Sequence, residues 1–158
     1  MDEPRWLDER EDRAWRGYRR MRRLLDLTLA RELMQDAGLS EPDYDVLSDL
    51  SEAPEQRLRL SELADRMLWS RSRLSHHLSR MQQRGLVRRE ECPSDGRGSV
   101  VVLTPAGRAA IEAAAPGHVA AVRRHLIDLL TPEEIAALGA LTQRVVDRLA
   151  GRPAAPAA

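Results

Sequence analysis

Between Asp65 and Glu90 the chain carries no carboxylate, and inside that window a helical pattern stops at a glycine and passes at once into a strand. Leu74, His77, Leu78 and Met81 recur at i, i+3, i+4 and i+7, which predicts a helix over residues 71–84 with one face in the core. Gly85 stands where a left-handed residue closes such a helix. The opposite stripe carries Ser72, Arg73, His76 and Arg80, all hydrogen-bonding side chains. An ordinary solvated helix face mixes both signs of charge, and this one does not.

The surroundings give that helix a context. A shorter helix is expected from Leu60 to Leu68, with Ser61 as its cap, Glu62 and Asp65 near its positive end, and a turn at Trp69-Ser70. After Gly85, the runs Leu86 to Cys92 and Ser99 to Leu103 flank Pro93-Ser94-Asp95-Gly96-Arg97-Gly98, which predicts an antiparallel hairpin with a basic tip. Helix, turn, helix and then two strands with a basic loop is the winged helix-turn-helix order. That arrangement lays its second helix in the major groove of DNA and its hairpin tip against the backbone or minor groove.

Longer helices flank this module. Arg10 to Ala37 contains no proline, and Ala14, Tyr18, Met21, Leu25, Leu29 and Leu33 recur every three or four residues until Gly38 stops the helix. Ser40-Glu41-Pro42-Asp43 starts a second helix, which Pro54 closes. Thr104-Pro105 starts another, expected to run through Ile111, Val119, Val122, Leu126 and Leu129 with a bend near Pro116-Gly117. Thr131-Pro132-Glu133-Glu134 opens a last helix with Ile135, Leu138, Leu141, Val145 and Leu149 on one face. Residues 151–158 read as a disordered tail. The apolar stripes of the flanking helices exceed what a small winged module covers, so a second copy is expected to cover them. The expected fold is mainly α with a small β-hairpin wing: a winged helix-turn-helix (residues 40–108) embedded in a helical dimerisation domain (1–38 and 109–150).

Composition narrows the partners. The 158 residues are 42% hydrophobic and 32% charged, which fits one globular domain. Every basic residue is arginine and the net charge is zero, but from Arg57 to Arg108 eleven arginines meet five acids, leaving the rest of the chain acidic. Screening lets such local charge dominate beyond about 10 Å, so a polyanion is the expected partner, double-stranded DNA first. Cys92, the single cysteine, excludes an internal disulfide and a zinc site of the usual ligand count. His76 and His77 point about 100° apart on a helix, and His118 and His125 lie two turns apart, so neither pair chelates one ion. No metal, cofactor or catalytic grouping is expected, and the chain reads as no enzyme. Apolar runs fall far short of the roughly 20 residues of a membrane helix and Met1-Asp2-Glu3-Pro4 is no signal peptide, so a cytoplasmic location is expected.

The stretch from Leu60-Ser61-Glu62-Leu63-Ala64-Asp65 through Gly85-Leu86-Val87-Arg88-Arg89 to Asp95-Gly96-Arg97 and Val102-Leu103-Thr104-Pro105-Ala106-Gly107-Arg108 resembles the MarR family of transcriptional regulators. The resemblance extends from about Arg10 to Leu149, and the Asp-x-Arg wing followed by Leu-Thr-x-x-Gly is its most specific part. It implies a homodimer whose first and last helices interlock, each subunit placing one helix in half of a palindromic operator. It also implies that Arg97 enters the minor groove, where a narrow tract concentrates negative potential, and that Asp95 orients a neighbouring arginine. Ser70, Ser72, Arg73, His76 and Arg80 are then the readers and clamps, and Arg71 serves a phosphate. His77 falls on the apolar stripe and reads as a partly buried packing residue. Arg88 and Arg89 alternate along a strand, so only one of them points toward DNA. The reactive cysteine of peroxide-sensing relatives has no counterpart in the first helix here, and Cys92 reads either as a structural or incidental strand residue or as a thiol activated by Arg88, Arg89 and Arg97 beside the wing.

Related regulators bind small aromatic acids or phenols between the dimer helices and the winged module. Trp15, Tyr18 and Tyr44 with Arg16 or Arg19 are the residues here for such a cleft, or else serve core and dimer packing. Two functions follow: a repressor released by an aromatic or phenolic ligand, or a dimeric winged-helix architectural or protein-interaction module without a specific operator. Preference for one duplex over random sequence separates them. Arg97→Ala is expected to weaken binding to a preferred duplex by about 1–3 kcal/mol per contact with little loss of fold stability. Titration of labelled duplex checks this, and an unchanged affinity removes Arg97 from the interface.

Overall fold

The computed structural model describes residues 4–91 and 98–151, so the expectations for Cys92, Asp95, Arg97 and the tail after Gly151 lie outside the described residues. The elements run α1 (Glu9–Ala37), α2 (Glu41–Glu52), β1 (Arg57–Arg59), α3 (Leu60–Arg66), α4 (Arg71–Gln83), β2 (Val87–Glu91), β3 (Ser99–Leu103), α5 (Pro105–His125) and α6 (Pro132–Leu149). Short 3-10 turns at Pro54–Gln56 and Ile127–Leu129 complete them. No helix among the described residues is long and apolar enough to cross a membrane.

Local chemistry sets most of the boundaries. Asp8, Ser40 and Thr131 each accept a hydrogen bond from the backbone N–H three residues on, while the acid at that position reaches back to the cap's own N–H. These capping boxes satisfy backbone donors that the first turn of a helix leaves free. At the other ends, Gly38 (φ 64°) and Gly85 (φ 74°) take the left-handed conformation that a Cβ disfavours. Gly85 N–H bonds to the Gln82 carbonyl at 2.9 Å and Leu86 N–H to the Met81 carbonyl at 3.0 Å, closing α4 with a Schellman pattern.

The chain divides into two compact units, residues 1–119 and 120–158. In the first, Val46, Leu47 and Leu50 of α2 join Leu63 of α3, Leu74, Leu78 and Met81 of α4, and Val87 and Val101 of the sheet in one buried cluster. Leu33, Leu39, Ile111 and Ala114 extend it to the end of α1 and the first half of α5. The sheet is antiparallel in the order β1-β3-β2, pairing Leu58 with Val101 and Arg89 with Val101. Outside this core, α1 exposes Trp15, Tyr18, Met21, Leu24 and Leu27. In the second unit, α6 exposes Ile135, Leu141, Val145, Val146 and Leu149.

Four details differ from the sequence expectation. A third strand, β1, lies along β3, so the wing hairpin is part of a three-stranded sheet. Helix α3 begins at Leu60 with Arg59 at its cap position and no side-chain cap bond, so Ser61 is not the cap. It ends at Arg66, short of Leu68, because Leu68 turns left-handed (φ 54°) and Trp69 N–H closes back onto the Ala64 carbonyl at 2.9 Å. Helix α5 passes through Pro116 but ends at His125, where Leu126 leaves helical geometry, so Leu129 belongs to a separate turn.

The start of α5 is locked to the end of α4. Thr104 hydroxyl lies 2.6 Å from the Gly85 carbonyl oxygen and 2.9 Å from that of Leu86, and it accepts the Gly107 N–H at 3.0 Å. A Cβ at Gly107 would stand 2.0 Å from the Leu86 carbonyl oxygen. Gly107→Ala is therefore expected to cost about 1–3 kcal/mol and to lower the melting temperature by several degrees. A melting curve like that of the wild type would show that this turn has room to move.

Candidate nucleic-acid interface

Helix α4 divides by burial as its spacing predicts. Leu74, His77, Leu78 and Met81 are buried, whereas Ser70, Arg71, Ser72, Arg73, His76 and Arg80 are exposed. Ser70 is the N-cap, accepting the Arg73 N–H at 3.2 Å. A duplex docking on this face would meet hydroxyl, imidazole and guanidinium groups, which pair with base edges and phosphates without presenting a repelling charge. The Arg73 guanidinium carbon sits 3.8 Å from the centre of the Trp69 ring, so the indole face holds that arginine in place.

On the strand after Gly85, alternation separates the two arginines. Arg89 turns back onto α4, bonding the hydroxyls of Ser75 at 3.1 Å and Ser79 at 3.0 Å and the Ser75 carbonyl oxygen. It braces the wing against the helix. Arg88 is exposed and pairs with Glu90 at 2.7 Å, while Arg57 reaches the other oxygen of Glu90 at 3.2 Å. The Arg88 hydrogen bond, with the charge of both arginines, holds the Glu90 carboxyl below the usual carboxylate range.

Beneath the helix lies a buried carboxylate. Asp43, only 3% exposed, accepts the Ser40 N–H at 3.0 Å and an Arg84 N–H at 2.7 Å on the same oxygen. Its other oxygen faces His77 Nε2 at 3.1 Å. Burial pushes the Asp43 carboxyl up, but the bonds from Arg84 and Ser40 outweigh it and hold the group below its ordinary range. Arg84 also donates to the Gly38 carbonyl oxygen at 3.2 Å. The arginine that caps α4 thus grips both the end of α1 and the start of α2.

The residues read as a ligand cleft form two separate aromatic pairs. Trp15 and Tyr18 stack on each other at 5.9 Å on the exposed face of α1, with Arg19 5.9 Å above Trp15 and Arg16 paired to Asp12 at 2.7 Å. Tyr44 sits instead against His118 of α5 at 4.3 Å. No ring contact joins the two pairs among the described residues. No group of three or more His, Cys, Asp or Glu side chains there could hold a metal ion.

Three contributors were not singled out from sequence: Trp69 as the platform for Arg73, Asp43 with Arg84, and Leu68. Asp43 and Arg84 show their link only through a contact between segments distant in sequence, whereas Trp69 stands four residues from the Arg73 it supports. Leu68 is 92% exposed and left-handed in the turn before α4, a position that favours glycine.

Known proteins share this fold. A sequence model described as "MarR family" matches residues 37–98. The transcriptional regulator HosA of Escherichia coli O111:H- is 32% identical over 102 residues, 64% of this chain and 73% of that protein. The crystal structure of AbsC, a MarR family transcriptional regulator from Streptomyces coelicolor, is 44% identical with a TM-score of 0.90, over 94% of this chain and 100% of that one. Sco3205, a MarR family transcriptional regulator from the same organism solved in complex with DNA, is 45% identical with a TM-score of 0.90, over 94% and 93%.

The buried carboxylate yields a stability test. Asp43→Ala strands the Ser40 N–H, leaves Arg84 only the Gly38 carbonyl and removes the charge facing His77, at a cost of about 1–3 kcal/mol. Because the folded carboxyl is held low, the wild-type contribution is complete above the ordinary carboxylate range and is lost as pH falls from that range down through the lower value of the folded group. Chemical denaturation at neutral and acid pH should therefore show a stability gap between wild type and Asp43→Ala that shrinks on acidification. A gap that stays constant to the acid limit would contradict this account of Asp43.

Proposed function

The chain belongs to the MarR family, and we propose that it is a repressor that binds a palindromic operator as a homodimer and releases it on binding a small aromatic or phenolic ligand. The family's members are transcriptional regulators, and this chain is a DNA-binding regulator rather than an enzyme. One observation carries the finer reading: the exposed face of α4 offers Ser72, Arg73, His76 and Arg80 with no carboxylate among them. Ser70, Arg71 and the wing residues Asp95 and Arg97 extend that surface in the proposal. The apolar faces of α1 and α6 support the homodimer, since exposed apolar stripes of this length are covered in stable proteins.

Aromatic side chains beside arginines support the ligand half of the proposal. Trp15, Tyr18, Arg16 and Arg19 on α1 and Tyr44 on α2 offer stacking surfaces and carboxylate partners. A ligand releases DNA only by preferring a conformation whose two recognition helices no longer match successive major grooves, about 34 Å apart. A coupling of about 1–3 kcal/mol is enough to change occupancy several-fold or more.

The test begins with duplexes selected from a random pool on the purified protein, followed by titration with and without a panel of aromatic acids and phenols. Preference for the selected duplex over random DNA of roughly a thousandfold is expected, together with sedimentation as a dimer at micromolar concentration. At least one compound should shift the curve for wild type but not for Tyr44→Ala. A stable folded monomer, no preference between duplexes, or no response to any compound at millimolar concentration would each remove the corresponding part of the proposal.

A further inference from the structure

His77 lies on the buried side of the recognition helix yet touches its exposed side. The residue is 7% exposed, with Nε2 facing Asp43 of α2 and Nδ1 lying 3.1 Å from an Arg80 guanidinium nitrogen. The edge of its ring meets Trp69 at 5.6 Å and 85°, so the ring is held on a third side. Arg80 itself is exposed and forms no ion pair with a carboxylate among the described residues. We propose that His77 is a positioning residue for Arg80, its Nδ1 accepting a hydrogen bond that aims the guanidinium out of the α4 face toward DNA. This inference rests on the reading of α4 as the helix that meets the duplex.

The chemistry selects one state of the ring. A guanidinium only donates, so the nitrogen facing Arg80 must carry a lone pair, which places the ring proton on Nε2. The Asp43 carboxylate favours a proton on that same nitrogen. The charged groups facing the ring are Asp43 from α2, Arg80 from α4 itself and Arg84 at its C-cap. Burial disfavours the imidazolium, Asp43 favours it, Arg80 and Arg84 oppose it, and the sum holds His77 below the ordinary imidazole range and therefore neutral at neutral pH. One donor of the guanidinium is used on His77 and the rest stay free for a guanine edge or a phosphate. Fixing the side chain in the free protein removes ordering that binding would otherwise have to supply.

Two amide variants separate positioning from packing. Asn places an oxygen acceptor where Nδ1 stands, whereas Gln places an N–H donor toward Asp43 and no acceptor toward Arg80. The probe is a duplex selected on the wild type, compared with random duplex. Arg80→Ala is expected to lower the preference for the selected duplex about tenfold. His77→Gln should lower it by a similar factor, His77→Asn should restore most of it, and His77→Gln with Arg80→Ala should be no worse than Arg80→Ala alone. Independent factors that multiply in the double variant, or His77→Asn behaving like His77→Gln, would overturn the proposal. If Arg80→Ala changes nothing, the reading of the α4 face fails instead. Nitrogen-15 spectra of the wild-type imidazole supply a measurement that depends on no variant folding: a proton on Nε2 is expected, and a proton on Nδ1 overturns the assignment.

Discussion

The Leu86 carbonyl is the point on which the winged module turns. Its oxygen takes the Thr104 hydroxyl and backbone N–H, at 2.9 and 3.3 Å, and stands where a Cβ of residue 107 would have to be. Three segments therefore meet without slack: the left-handed end of α4, the entry to β2 and the first turn of α5. A buried carbonyl that lost these donors would cost about 1–3 kcal/mol. The geometric consequence is larger, because this contact sets the direction in which the wing leaves α4. The Leu-Thr-x-x-Gly sequence reads in this light as one hydroxyl that caps a helix and clasps a strand, followed by the one residue small enough to let them touch.

The arginine excess also takes on a different meaning once partners are known. Sequence counts eleven arginines from Arg57 to Arg108, but they do not form one basic surface. Arg57 and Arg88 share Glu90, Arg66 pairs with Glu62, Arg84 with Asp43, and Arg89 bonds serines of α4. These arginines hold the module together or are neutralised at its surface. Arg73 and Arg80 are different, because each rests on a neutral ring, Trp69 or His77. A neutral support orders a guanidinium without cancelling its charge, which is what a polyanion-binding side chain requires.

Much of the fold was legible because short-range chemistry dictates it. Ser40 and Thr131 announce their helices through the acid three residues later, and Gly85 announces the end of α4 through the backbone it permits. What was hidden depends on partners far away in the chain. Arg57-Leu58-Arg59 has one apolar residue and becomes a strand only because β3 lies beside it. Leu68 ends α3 from a conformation that its own side chain disfavours, so the tertiary fold imposes it. At the interface, spacing sorted the buried and exposed faces of α4 correctly. It missed that His77 reaches both, because the spacing of side chains on one helix says nothing of the Asp43 that waits on another.

The proposed dimer follows from the modesty of a single α4 face. Four exposed hydrogen-bonding side chains, Ser72, Arg73, His76 and Arg80, give one subunit a few base or phosphate contacts. Contacts to phosphate carry no sequence information, so at about 1–3 kcal/mol for each base edge actually read, one face reaches only the lower part of the roughly 4–10 kcal/mol that separates specific from non-specific binding. Two rigidly joined faces add their contacts while the second binds at the effective concentration set by the first. Rigidity is the condition, since a flexible pair would gain affinity without fixing the spacing of half-sites. The long α1 exposes an aromatic and aliphatic face and α6 an aliphatic one, and these are the surfaces proposed for such a joint. In the proposed dimer the apolar helices would share the sequence specificity with the arginines, because they would decide how far apart the arginines stand.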